Sequence, residues 1–198
     1  MAQPPQGKKV AILVESGFEQ SELIEPRRAL EQAGAEASVV SPTAGRVKAW
    51  HAADWGENVP VDVPLAQASP DQFDALLLPG GVINPDKLRM NPEAVAFVHG
   101  FFDAGKPVAA ICHGPWTLID AGVVRGRRLT SWPSLKRDLQ NAGAEWVDQA
   151  VVVDQGLVSS RKPDDLPDFN RKMIEEFAEG RHPRQARPGV ATETRAAH

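Results

Sequence analysis

Cys112 is the only cysteine in the chain, and its setting is Ala110-Ile111-Cys112-His113-Gly114. A nucleophile elbow needs small residues two before and two after the nucleophile, because the strand turns into the following helix too tightly for larger side chains. Ala110 and Gly114 meet that need. Such a turn strains the backbone at Cys112 and sets its sulfur at a helix head, where N–H groups and the positive end of the dipole favour thiolate. On this reading Cys112 is a nucleophile more acidic than an ordinary cysteine at about 8.5, and His113 is its base. The plain alternative for a lone cysteine is a small buried hydrophobe, and for His113 a polar residue lining the turn. The strand-end position between small residues favours the chemical reading.

Two other loops offer partners. Pro79-Gly80-Gly81 presents backbone amides with no side chain in the way, suited to holding an oxyanion together with the amide of His113. Glu19 stands just after the first apolar run. It is either a helix-start acid, capped with Ser16 or favoured by the dipole, or an acid hydrogen bonded to the sulfur. Glu15 and Glu22 are weaker candidates for that place.

The elements that must position these residues follow from hydrophobic period. Val10 to Val14, Ala37 to Ser41, Asp74 to Leu78 and Pro107 to Ile111 are short apolar runs that read as buried strands. Helices are expected from Ser21 to Ala33 (with Pro26 near its first turn or kinking it), from the Asn91-Pro92-Glu93 cap to Gly105, from Gly114 to Ala121, from Ser134 to Ala142, and from about Asp165 to Ala178. Leu129 to Ser131 reads as a short strand. Thr43 to Pro64 reads as a hairpin-like excursion, and Val147 to Val153 with Leu157 to Ser160 as a hairpin turning at Asp154-Gln155-Gly156. The β-α-β alternation predicts an α/β fold with a mainly parallel sheet and helices on both faces. In such sheets the working site lies beyond the C-terminal strand ends, at the loops after Val14, Leu78 and Ile111.

With 198 residues, 42% hydrophobic and 24% charged, the chain fits one ordinary globular domain. We expect a polar leader over residues 1–8, a domain over 9–180, and a mobile Arg- and Pro-rich tail over 181–198. The net charge of −4 with scattered basic residues argues against a nucleic-acid partner. The apolar runs are far shorter than the ~20 residues of a membrane span, and the N-terminal segment lacks the apolar stretch of a secretory signal. A cytoplasmic address and no membrane partner are expected. One cysteine excludes an internal disulfide and argues against a Cys-based metal cage within one chain, and no metal or cofactor is expected.

Val10 to Val14 through Gly17-Phe18-Glu19 to Glu22-Leu23, then Leu78 to Gly81, then Gly105 to Pro115, and Thr130-Ser131-Trp132-Pro133, closely resemble the PfpI (intracellular protease I) family. This family lies within the Parkinsonism-associated deglycase superfamily and is related to class I glutamine amidotransferases. The resemblance runs from about Lys8 to Gly180. It implies a flavodoxin-like three-layer sandwich and a homo-oligomer, a dimer or a hexamer of dimers. It also implies Cys112 as nucleophile, His113 as partner, Glu19 as the acid at the sulfur, and an oxyanion and substrate site around Gly80, Gly81, Gly114 and Trp132. In the family an acid from a neighbouring subunit orients the histidine, and the matching position is Asp86, shorter than the Glu often found there. Trp132 stands where Tyr is frequent.

Activities attributed to the family share one step, attack of a thiolate on an electrophilic carbonyl followed by proton transfer through a nearby acid or base. The expectation is a stress-related, cofactor-free cysteine enzyme acting on reactive carbonyls, of glyoxalase or deglycase type. The alternatives are an intracellular cysteine peptidase acting on peptides, and a non-catalytic redox sensor or holdase whose Cys112 is oxidised.

Overall fold

The computed structural model describes residues 4–183 and Gln185. In chain order the elements are β1 (Lys9–Leu13), α1 (Gln20–Gln32), β2 (Glu36–Ser41), β3 (Arg46–His51), β4 (Asp54–Pro60), β5 (Val63–Pro64), β6 (Ala75–Leu78), α2 (Ile83–Arg89), α3 (Pro92–Asp103) and β7 (Val108–Ile111). They continue as α4 (Pro115–Asp120), β8 (Arg128–Leu129), α5 (Lys136–Asn141), β9 (Glu145–Trp146), β10 (Val151–Asp154), β11 (Leu157–Ser160) and α6 (Leu166–Glu179).

Seven strands form one sheet in the order β10-β11-β7-β6-β1-β2-β5. Every pairing is parallel except that of β10 with β11. The run β2-β1-β6-β7-β11 is the flavodoxin order 2-1-3-4-5, whose direction of winding reverses between β1 and β6. β5 and β10 extend its two edges. The alternation of side chains along each strand divides the interior in two. Val10, Ile12 and Leu77 face Leu23 and Leu30 of α1 and Phe169, Met173 and Phe177 of α6. Ala11, Leu13 and Leu76 face Phe97 and Phe101 of α3 and Leu118 of α4. The central strands are therefore buried on both faces, which is why they read as continuous apolar runs.

Three features sharpen or depart from the sequence expectation. α2 was not foreseen, because Asn84 and Pro85 resemble loop residues; Pro85 lies in its first turn, where a missing N–H costs nothing. Pro26 lies well inside α1 and is buried, so the Glu22 carbonyl lacks its helical donor. The start of the tail is seated rather than loose: the His182 amide donates to Gly105 O at 2.7 Å, and Gln185 is 2% exposed. The remainder of the expected tail, residue 184 and residues 186–198, and leader residues 1–3 lie outside the described residues.

Candidate active site

The loops after β1, β6 and β7 meet beside the point where the sheet reverses its winding. Cys112 directly follows β7 with φ 61°, a left-handed conformation that only two other non-glycine residues adopt among those described. This is the strain expected of an elbow. Its chain turns at once, with the Gly114 amide donating to Ile111 O at 2.9 Å. A Cβ on Gly114 would lie 2.6 Å from Leu78 O, and one on Gly80 would lie 2.6 Å from the Cβ of Cys112. Both positions exclude any side chain.

Glu22, not Glu19, is the acid against the sulfur. Its side chain is fully buried; Oε2 accepts from the Gly80 amide at 2.9 Å, Oε1 has no hydrogen-bond partner among the described residues, and a Cβ on Gly80 would lie 2.5 Å from Oε2 and 2.6 Å from the Cys112 Cβ, which sets the carboxyl beside the cysteine. The reason is helical phase. α1 begins at Gln20, so Glu22 shares the inward face with Leu23, Pro26 and Leu30. Glu19 occupies the cap position without capping anything through its side chain, and its carboxylate accepts from Ser21 Oγ at 3.2 Å. The Ser16 capping box does not form, since Ser16 Oγ accepts from the Lys48 amide. Glu15 is held away by Thr43, whose hydroxyl donates to it at 2.9 Å. The spacing of 22, 26 and 30 was the signal in the sequence that singled out Glu22.

The amides are also used differently from expectation. Gly80 N–H is committed to Glu22 and Gly114 N–H to Ile111, so neither is free for an oxyanion. The amides of Gly81 and His113 are instead the groups that favour a thiolate at Cys112. Asn84, fully buried and not anticipated, fixes the arrangement. Its Oδ1 accepts from the Glu15 amide at 2.7 Å, and its Nδ2 donates to Pro79 O and Gly80 O, each at 3.0 Å. One side chain thus ties the β1 loop to the β6 loop.

His113 Nδ1 lies 3.2 Å from Cys112 Sγ. The ring stacks on Trp132 with centroids 5.9 Å apart and meets Trp116 edge-on at 5.2 Å. Its Nε2 is 3.4 Å from Ser134 Oγ, and no carboxylate bonds to it among the described residues. Asp86 is exposed on α2 and makes no side-chain hydrogen bond among the described residues. Trp132 is 39% exposed at the rim.

Burial, helped by the Glu19 charge, pulls the Glu22 carboxyl up to about 8, so it keeps its proton at neutral pH. Burial lowers His113 to about 4, which leaves the imidazole neutral. The expected acidic Cys112 meets an opposing effect: burial, then the Glu22 charge, pushes the thiol up, against the two amides that favour thiolate. α4 is only six residues long, so its dipole offsets little of this. A proton on Glu22 removes the repulsion and gives the carboxyl a donor beside the cysteine. The site is then a strained cysteine sharing a proton with a buried acid, beside a neutral imidazole.

These features define an α/β protein of flavodoxin topology with a cysteine elbow at its switch point. The chain belongs to the DJ-1/PfpI family, whose model matches residues 8–176. It is 46% identical over 166 residues to a protein named a deglycase from Thermococcus kodakarensis, covering 84% of this chain and 97% of that one. A protein from Pyrococcus horikoshii, also named a deglycase, matches with the same identity and coverage. Among solved structures, Drosophila melanogaster DJ-1beta superposes with a TM-score of 0.80 at 30% identity, covering 91% of this chain and 94% of that chain. No helix among the described residues is long and apolar enough to cross a membrane.

Proposed function

We propose that this protein is a stress-related, cofactor-free enzyme that attacks small reactive carbonyls or their adducts through Cys112. The observation that carries the reading is the strained Cys112 beneath the buried, protonated Glu22. Similarity to proteins named deglycases supports the substrate class. With methylglyoxal, the thiol gives its proton to solvent as the sulfur forms a C–S bond to the aldehyde carbon, and the carbonyl electron pair goes to oxygen, which takes the proton from Glu22. The Glu22 carboxylate then takes the proton from that carbon and delivers it to the neighbouring carbon while the hydroxyl proton passes to the neighbouring oxygen, which leaves the thioester of a hydroxy acid. Water hydrolyses the thioester, freeing the hydroxy acid and restoring the thiol. Glu22 suits this work because an acid near 8 trades protons efficiently at neutral pH, whereas an imidazole near 4 is a weak base.

His113 would be a better base beside an acid, and the only partner of Nε2 among the described residues of this chain is Ser134. We therefore assign that role to Asp86 of a second copy. Val82 and Met90, 54% and 71% exposed at the two ends of α2, give this helix the apolar flanks of an interface between copies. A homo-oligomer in the cytoplasm, where a single free thiol stays reduced, fits this reading.

The test is sustained conversion of methylglyoxal to lactate by the parent protein and its loss in Cys112→Ala, with a denatured protein assayed in parallel as peptidase substrate. Cleavage of the denatured protein without lactate would favour a peptidase. Neither activity, with oxidation of Cys112 by peroxide, would favour a redox sensor or holdase.

A further inference from the structure

At the far end of α6, Glu176, Glu179 and His182 bring one ligand atom each within 4.8 Å of one another. Gly180, with φ 84°, stops the helix and turns the chain back so that His182 faces Glu176. Glu176 is 9% exposed. Its Oε2 and His182 Nε2 are shut away from solvent and lie 3.3 Å apart, yet neither has a properly directed hydrogen bond among the described residues. Gln185, 2% exposed, has an Oε1 in the same condition. It borders the same place, since a Cβ on Gly156 would lie 2.2 Å from Gln185 Oε1 and 2.7 Å from His182 Cδ2. Three buried polar atoms without directed partners therefore gather in one corner.

We propose that Glu176, Glu179 and His182 form a site for a divalent transition cation of the zinc type, with Gln185 Oε1 beside it as a further oxygen donor. An imidazole with carboxylate oxygens is a donor set that suits zinc. Bonds of about 2.0–2.1 Å in a tetrahedron separate two ligand atoms by about 3.3 Å, which matches the spacing of Glu176 Oε2 and His182 Nε2. The site lies at the C-terminal end of a 14-residue helix, where the backbone dipole favours positive charge. The cation with the strongest claim on Glu176 from its own helix, Lys172, is bonded to Glu175 at 2.6 Å. The metal would fasten the segment after α6 to the domain, where the His182 amide already meets Gly105 and the Gln185 side chain meets Lys106 O at 2.6 Å. Binding requires Glu176, whose burial favours its neutral form, to give up any proton it holds, so affinity rises with pH.

The test uses the full-length chain as Cys112→Ser, so that the cysteine site cannot supply a thiolate to the metal. Titration with Co²⁺ should give one saturating equivalent with the strong visible absorption of low-coordinate cobalt, displaced by Zn²⁺. Zn²⁺ at a hundredfold over its Kd should raise the thermal midpoint by several degrees. Adding His182→Ala should abolish both effects, and adding Glu179→Gln, an exposed position, should weaken binding at least tenfold. Absence of stoichiometric binding, or binding unchanged by either substitution, would overturn the site and leave a plain His182–Glu176 ion pair. Binding without a rise in the midpoint would overturn the clamp.

Discussion

Oε2 of Glu22 receives the amide proton of Gly80 at 2.9 Å, and this bond holds the buried carboxyl in place over Cys112. The acid comes from α1 and the amide from the loop after β6. The Cys112–Glu22 pair is therefore built across the reversal point of the sheet.

The acid has a pH signature. Glu22 titrates near 8 in the folded chain, against 4.5 for an ordinary Glu, so between those values the folded state holds a proton that the unfolded state has released. Stability attributable to this group falls as pH rises from 4.5 through 8. Glu22→Gln should flatten that slope, and urea unfolding at pH 6 and pH 9 will read the difference. Its turnover should fall by about a hundredfold or more, because the amide cannot pass a proton.

His113 gives the opposite sign. Its folded value near 4 lies below the ordinary 6.5, so its contribution is fully present above 6.5 and is lost as pH falls through the window down to 4. An NMR titration of the isolated subunit should show a neutral ring down to about pH 4. If Asp86 of a second copy reaches it, the value should rise on assembly. Titration near 6.5 in the isolated subunit would remove burial as the controlling effect.

Asn84 is expected to be the most sensitive residue outside the reacting groups. Asn84→Ala strands the Glu15 amide and the Pro79 carbonyl in a buried loop junction and leaves the Gly80 carbonyl with the Glu19 amide alone. Leaving such groups unpaired costs about 1–3 kcal/mol apiece before relaxation, so we expect a loss of about 3 kcal/mol in denaturant unfolding. Turnover should also fall, since the Gly80 amide that holds Glu22 loses its anchor.

Shared sites have a genetic test. Cys112→Ser and Asp86→Ala should each be nearly inactive, and co-expression should restore partial activity in mixed oligomers, because one intact Cys112–His113 pair then meets one intact Asp86. Mixed oligomers as inactive as their parents, or full activity in Asp86→Ala alone, would place the His113 partner elsewhere.

Much of this was readable in the sequence because it rests on short-range physics. The central strands declare themselves by burial on both faces. α3 declares itself by its Asn91 cap, whose side chain accepts from the Glu93 and Ala94 amides. The turn between β10 and β11 has positive φ at Gln155 and Gly156, as Asp154-Gln155-Gly156 suggests. Cys112 was legible for the same reason, since the elbow is local. The choice between Glu19 and Glu22 needed more than the order of residues in the loop: Glu19 stops at the cap, and only the 22-26-30 spacing inside α1 carries a carboxyl onto the buried face. The role of Asn84 depends on contacts 69 residues apart in sequence, and no local pattern encodes them.

The central claim is that Cys112 is a reactive thiol governed by Glu22, and the rate of its alkylation by iodoacetamide tests this most directly. The rate should be measured against pH in the parent, Glu22→Gln and Glu22→Leu. We predict that the parent and Glu22→Gln react at pH 7, since each offers the sulfur a hydrogen-bond donor, and that Glu22→Leu reacts at least tenfold more slowly. The parent's profile should also bend near pH 8, where Glu22 loses its proton, and the bend should vanish in both variants. If all three proteins follow the titration of a free thiol at one common rate, or the sulfur is inert in the folded parent, the account is contradicted.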